Sequence, residues 1–292
     1  MGWPEQMRIL ITGASGQLGG ALQRVLAGEE VLPLSHADLD IANRDDVMRT
    51  VANSQANAVI NAAAWTDTAG CESDPVRARQ VNGEAAGYLA EGCREAGATM
   101  VHISSNEVFD GGKGAPYVED DRANPINEYG RSKLLGEEMV AANVNEHQIV
   151  RTSWLYGPGR VSFPEKILER VRTDGRLRLV TDEIASPTWT VDLAGAIGGL
   201  LKHREYGIFH LANDGECSRK EWAEEIVSQR GLHVPIEETT QATFNLPYRK
   251  PVVSTLLNTR AAALGVTMRP WREALADHLR ETRPVAEEVS RT

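Results

Sequence analysis

Residues Met7 to Gly20 read MRILITGASGQLGG, and no other stretch narrows the fold as far. Arg8-Ile9-Leu10-Ile11-Thr12 is mostly β-branched or aliphatic and bounded by glycine, the pattern of a short buried strand. Gly13-Ala14-Ser15-Gly16-Gln17-Leu18-Gly19 follows as a G-x-x-G-x-x-G run, and Leu18, Ala21, Leu22, Val25 and Leu26 then recur at helical spacing. The glycines therefore stand where a strand turns into a helix. Gly13 permits the tight turn, Gly16 lets the backbone approach a pyrophosphate, and Gly19 lets helix pack on strand. The helix N-terminus then faces the ligand with unpaired N–H groups and a partial positive charge. Ser15, Gln17 and Leu18 share this turn and are counted with the glycines as binding residues for a dinucleotide. A glycine-rich turn in some other α/β domain is the alternative.

The 292 residues suffice for a sizeable core, as one large domain or a main domain with a smaller lobe. Lys and Arg number 31 against 41 Asp and Glu, a net charge of −10 that argues against nucleic-acid binding while allowing a local basic pocket. Cys71, Cys93 and Cys217 show neither paired nor metal-ligand spacing and fit a reducing compartment, so a cytoplasmic location is expected. Met1 to Gln6 lacks the basic start and apolar run of a signal peptide, and Met7 is a second candidate start. No run approaches the roughly 18 apolar residues of a membrane span.

Along the chain, Glu30 to Leu34 reads as a second strand. At its end, where an acid would select NAD, stand Ser35 and His36, neither acid nor arginine, so NADH and NADPH stay open. Ser35 is placed either on a ribose hydroxyl or 2′-phosphate or in a plain turn. Asp40 and Ile41 are candidates for an adenine pocket, ahead of a helix over Arg44 to Ser54. Ala58 to Ala64 is a third strand whose small end, Ala62, Ala63 and Ala64, leaves room for a ligand. Thr66 lies in a loop able to reach over a substrate. A helix from Pro75 to Ala96 carries Asn82 on a mainly apolar face, either a cofactor contact or a bonded core residue. Met100 to Ile103 is a fourth strand, ending in Ser104-Ser105-Asn106-Glu107. Asp110 to Asn124 reads as an exposed loop, Pro125 as the opening of a helix, and Gln148 to Thr152 as a fifth strand.

This rhythm implies an α/β fold, a doubly wound parallel sheet of Rossmann type over residues 1–158. Beyond it the rhythm breaks. Helices are expected at Phe163 to Arg172, Val191 to Lys202, Arg219 to Gln229, Thr259 to Leu264 and Trp271 to Arg280, with strands at Leu177 to Val180 and Ile208 to Leu211. Residues 159–281 are read as a smaller substrate-binding lobe partly returning to the main sheet, and 282–292 as a polar tail.

Tyr129 and Lys133 stand four apart on a helix, hence on one face, roughly 6 Å apart along the axis. A fixed ammonium favours the phenolate, and bringing a tyrosine from about 10 toward 7 takes on the order of 4 kcal/mol. Such a phenol exchanges a proton with a carbonyl or alcohol oxygen while hydride moves to or from a nicotinamide. Lys133 can also bond the nicotinamide ribose, and Ser105 can orient the carbonyl. The spacing alone is common on surface helices; its place after the fourth strand of a chain opening with a dinucleotide turn gives it weight.

The glycine run, Asn61-Ala62-Ala63-Ala64, Ser105 and Tyr129/Lys133 resemble an extended short-chain dehydrogenase/reductase. Trp65-Thr66-Asp67 through Cys71-Glu72, Ser104 to Gly111, Pro125 to Gly130, Arg151 to Tyr156, and Asp182 through Ser186-Pro187-Thr188 resemble the dTDP-4-dehydrorhamnose reductase family, in order from Met7 to Leu279. The resemblance implies reduction, by NADPH or NADH, of the 4-keto group of a dTDP-linked 6-deoxyhexose, dTDP-4-dehydro-L-rhamnose, to dTDP-L-rhamnose. It implies catalytic roles for Ser105, Tyr129 and Lys133, a place for Trp154 beside sugar and nicotinamide, and Pro187 and Thr188 beside the substrate. Two substrate phosphates need cations, for which Arg249 and Lys250 are candidates. A homodimer is compatible with the family.

Three positions depart from the family's pattern. Ser104-Ser105-Asn106-Glu107 stands where Ser-Thr-Asp-Tyr is usual, keeping the hydroxyl but changing polarity at Asn106 and Glu107 beside the sugar. Glu107 also matches the acid of the related 4,6-dehydratases, without its paired Asp. Gly20-Ala21 replaces the glutamate with which some members bind Mg²⁺, so no metal is expected. The alternatives are a dehydratase or epimerase, and a non-catalytic NADP-binding subunit like the β subunit of methionine adenosyltransferase.

Overall fold

A computed structural model describes residues 6–282. Met1 as the start, and the tail beyond Thr282, lie outside the described residues.

In chain order the first half runs β1 (Arg8–Thr12), α1 (Gln17–Val25), β2 (Glu30–Leu34), α2 (Arg44–Ser54), β3 (Ala58–Asn61), α3 (Thr68–Ser73), α4 (Pro75–Ala78), α5 (Ala85–Ala96), β4 (Thr99–Ser105), α6 (Glu128–Asn143) and β5 (His147–Thr152). The second runs β6 (Leu155–Tyr156), α7 (Phe163–Asp174), β7 (Leu177–Val180), β8 (Ile184–Ala185), β9 (Thr188–Trp189), α8 (Thr190–Leu200), β10 (Gly207–His210), β11 (Cys217–Ser218), α9 (Arg219–Gln229), β12 (Ile236–Thr239), α10 (Thr259–Ala263) and α11 (Trp271–Glu281). Six strands form one parallel sheet in the order β10-β5-β4-β3-β1-β2. The chain reverses direction across the sheet between β1 and β3, the switch point where open α/β sheets bind ligands at their carboxyl ends.

Strand alternation divides the core. Ile9 and Ile11 of β1 pack with Leu18 and Leu22 of α1 and Leu193 and Ile197 of α8. Leu10 between them packs on the opposite face with Val47 and Val51 of α2, Leu89 of α5 and Val140 of α6. A third cluster joins Ile167, Leu177, Trp189, Trp222, Trp271 and Leu275 from the second half.

Four expectations need correction. The third strand stops at Asn61, whose side-chain oxygen accepts the N–H of Ala63 at 3.2 Å and turns the alanines out of the ladder. The helix that carries Tyr129 and Lys133 starts at Glu128 rather than Pro125, because Asn127 caps it by accepting the Gly130 N–H at 2.8 Å. The loop from Asp110 to Asn124 is only partly exposed: Tyr117 and Glu119 are buried, and Tyr117 stacks on Phe109 at 4.0 Å. Its backbone also exchanges hydrogen bonds of 2.8 Å with Thr255 and Leu257. The helix expected from Pro75 to Ala96 is interrupted by a π turn over Arg79–Glu84 that holds Asn82.

Candidate active site

The carboxyl ends of β1, β3, β4 and β5 open on a cleft of about 600 Å³. Gly13 and Gly16 line it, with Ser15, Gln17 and Leu18. Gly13 adopts φ +68°, and a Cβ there would lie 2.6 Å from the Ala63 nitrogen. A Cβ on Gly19 would lie 2.3 Å from the Gly13 oxygen, so Gly19 serves the close packing of helix on turn and does not line the cleft. Gly16 begins α1 with no side-chain cap, leaving the first-turn N–H groups for a ligand. A bare backbone cradle at a helix N-terminus fits the pyrophosphate of a dinucleotide. Ala62, Ala63 and Ala64 form the adjoining wall, and His36, Asp40 and Ile41 the far end.

Gln17 has a second task. Its Nε2 donates to the carbonyls of Gly157 at 2.8 Å and Arg160 at 3.1 Å, tying the loop after β6 to the glycine turn and bringing Arg160 to the cleft. Ser35 is turned away from it: its N–H and hydroxyl both donate to Asp38 Oδ2, at 2.8 and 2.6 Å. Those two bonds hold the Asp38 carboxyl below its ordinary range. Asn82 is likewise off the wall. It accepts the Trp65 N–H at 2.8 Å and donates to the Trp65 carbonyl and the Ser132 hydroxyl, each at 3.0 Å, which uses its amide and joins the Trp65 loop to α6.

Ser105, Tyr129 and Lys133 converge on the cleft wall, from the end of β4 and one face of α6. The Tyr129 phenol is hydrogen-bonded to Ser105, whose oxygen also accepts the Glu107 N–H at 3.1 Å. The tuning expected of Lys133 is not what this geometry yields. Burial, then the charge of Glu107, push the Tyr129 phenol up, and the Ser105 bond only partly opposes them. Tyr129 is therefore a protonated phenol, the form that donates to a carbonyl oxygen. Burial pulls Lys133 down to about 8 against the charge of Glu137.

At the other end Thr66, Asn106, Glu107 and Trp154 line the cleft. Asn106 is anchored, donating to the Ser254 hydroxyl at 2.7 Å. Glu107 accepts from Asn127 Nδ2 at 2.7 Å, and burial pushes its carboxyl up. Trp154 adopts φ +42°, left-handed backbone rare for an aromatic residue. Its ring is clamped by the Arg219 guanidinium at 3.6 Å and stacks on Trp222 at 5.6 Å.

Pro187, Thr188 and Arg249 do not reach this cleft. Pro187 and Thr188 are buried, and Thr188 receives the Asn213 N–H on its hydroxyl. Arg249 is exposed, with its carbonyl accepting from Asn127 at 2.9 Å, and Lys250 is drawn to Glu183 at 3.4 Å. The cations on the cleft wall are Lys133, Arg77 and Arg160.

Sequence reasoning also missed the support beneath the site. Glu137, one turn after Lys133, pairs with Arg151 of β5 at 2.6 and 2.9 Å and accepts the Ser104 hydroxyl at 2.5 Å. The i, i+4 spacing of Lys133 and Glu137 was the only local sign of it. No group of three or more metal-ligating side chains occurs among the described residues.

Comparison with known proteins places this geometry. The family model described as RmlD substrate binding domain matches residues 7–283. The chain belongs to that family. Among RmlD-type relatives it is 40% identical to the spore coat polysaccharide biosynthesis protein SpsK of Bacillus subtilis, covering 94% of this chain and 97% of the relative. It is 38% identical to a dTDP-4-dehydrorhamnose reductase of Mycolicibacterium smegmatis, covering 92% of this chain and 84% of the relative. The dTDP-4-dehydrorhamnose reductase of Bacillus anthracis, solved in complex with NADP, superimposes with a TM-score of 0.92 at 32% identity, covering 95% of this chain and 100% of the other.

Proposed function

We propose that the chain reduces the 4-keto group of a dTDP-linked 6-deoxyhexose, dTDP-4-dehydro-L-rhamnose to dTDP-L-rhamnose, as an NAD(P)H-dependent oxidoreductase of nucleotide-sugar biosynthesis. The observation that carries this is the convergence of Ser105, Tyr129 and Lys133 on the cleft that the glycine turn opens. RmlD-type relatives named for this reduction, one solved with NADP, support it.

The nicotinamide supplies the hydride. The Ser105 hydroxyl holds the sugar carbonyl oxygen, and the Tyr129 phenol, kept protonated by burial, gives it the proton. Lys133 stabilises the tyrosinate left behind and bonds the nicotinamide ribose. Thr66, Asn106, Glu107 and Trp154 surround the sugar, with residues 159–281 forming most of the substrate-binding lobe. The chain acts in the cytoplasm as a homodimer, a state that light scattering tests. No helix among the described residues is long and apolar enough to cross a membrane.

The test is NAD(P)H consumption with dTDP-4-dehydro-L-rhamnose supplied by coupled enzymes. Sugar-dependent oxidation that is lost in Tyr129→Phe supports the assignment and ranks the two cofactors. Cofactor binding without oxidation overturns the choice of sugar.

A further inference from the structure

Lys133 meets a buried group that no step above uses. His102, in β4, is 1% exposed, and its Nε2 lies 3.5 Å from Lys133 Nζ. Its Nδ1 lies 3.2 Å from Asn61 Nδ2. Asn61 Oδ1 accepts the Ala63 N–H at 3.2 Å and the Thr12 hydroxyl at 2.7 Å. A backbone N–H only donates, so the Asn61 atom facing it is the oxygen, and the amide NH₂ faces His102. That NH₂ also only donates, so His102 Nδ1 must present a lone pair. A neutral imidazole then carries its one proton on Nε2, aimed at Lys133. An ammonium has no lone pair to receive that proton; a neutral amine has one.

We propose that the chain Thr12–Asn61–His102 is a positioning device that locks His102 as the Nε2–H tautomer and thereby favours the neutral amine of Lys133, setting the alkaline limit of the reaction. An imidazolium is excluded by the same contact, because its Nδ1–H would meet the Asn61 NH₂. Helix α6 packs close against the ring: a Cβ on Gly136 would lie 3.0 Å from His102 Nε2. Burial, then the Lys133 charge, hold the imidazole well below its ordinary value. The titratable groups around Lys133 are Glu137 on its own helix, which favours the ammonium, the Cys71 thiol on α3, raised to about 11 and so uncharged here, Tyr129 one turn before it, and His102 opposing from β4. Glu137 is itself engaged by Arg151.

A lysine balanced in this way replenishes Tyr129. The proton that the phenol gives to the sugar oxygen is restored from the Lys133 ammonium. The amine that remains receives the His102 N–H and regains its proton from solvent through the cleft. This consequence rests on the roles given above to Tyr129 and Lys133; the tautomer does not.

The first experiment is long-range ¹H–¹⁵N NMR of the wild-type protein, with the His102 signals assigned by difference against His102→Gln. The expected result is a protonated Nε2 and a bare Nδ1 throughout the neutral range; a protonated Nδ1 overturns the proposal. The second is the pH profile of kcat. Gln at position 102 offers Lys133 a carbonyl oxygen, so the alkaline limb moves up by about one pH unit, a tenfold change in the protonation equilibrium. In Asn61→Asp the carboxylate accepts a hydrogen bond from a protonated Nδ1, which turns the Nε2 lone pair toward Lys133 and moves the limb the same way. A limb unmoved in both folded variants overturns the proposal. A wild-type profile flat from about pH 7 to 10 with the Nε2–H tautomer present overturns the role of Lys133 instead.

Discussion

Replacing Glu137 with Gln tests how α6 is held against the sheet. Glu137 and Arg151 are 4% and 3% exposed, and the carboxylate takes two guanidinium bonds and the Ser104 hydroxyl. The amide keeps the shape and loses the charge, leaving a buried guanidinium faced by a neutral group and, at 5.0 Å, by the Phe109 ring. Breaking a buried pair from one side costs about 3–5 kcal/mol, since the desolvated charge is no longer compensated. Glu137 is also the charge that holds Lys133 up. Without it the lysine falls further below about 8, and because the ammonium is lost as pH rises through that value, the alkaline limb of kcat moves to lower pH. Urea unfolding followed by circular dichroism measures the first effect and a pH–rate series the second. A loss under about 1 kcal/mol at unchanged m-value would refute the reasoning. Removing both charges, as Glu137→Leu with Arg151→Met, recovers much of the lost stability, because no buried charge is then left alone.

Tyr129→Phe lowers kcat by about 10²–10⁴-fold while NADPH still binds, as read by fluorescence titration against steady-state rates. Gly13→Ala forces a side chain into φ +68° and against the Ala63 nitrogen, so dinucleotide affinity falls with stability; calorimetric titration and thermal unfolding check it. Glu165 accepts from His278 at 2.8 Å and is held down to about 2 by its His278 and Ser162 hydrogen bonds against burial. Its folded value lies below its unfolded one, so its stabilising contribution is full above about pH 4.5 and is lost as pH falls toward 2. Glu165→Gln therefore flattens the acid slope of stability in that window, measured by denaturation at a series of pH values.

The glycine turn, the alternation of strands and helices that implies a parallel sheet, and the Tyr129–Lys133 face were legible in the sequence because each is local. Arg8–Thr12 and Gln17–Val25 follow from periodicities of two and 3.6, and Gly13 from a backbone angle that only glycine takes freely. Motif positions also sufficed for Thr66, Asn106, Glu107 and Trp154, which line the cleft. Asn82, Pro187, Thr188 and Arg249 lie off the cleft wall, because a residue's number says nothing of which way its side chain is spent. Asn82 is consumed by Trp65 and Ser132, and Thr188 by Asn213. Protonation lay furthest from reach. Lys133 beside Tyr129 suggested a phenolate, yet desolvation and Glu107 keep the phenol. The state of His102 depends on an Ala63 N–H and a Thr12 hydroxyl that reach it only through Asn61. Backbone preference and helical spacing act within a few residues and can be read along the chain. Burial, charge and hydrogen-bond direction sum over neighbours from every part of it, and only the packed tertiary structure brings those neighbours together.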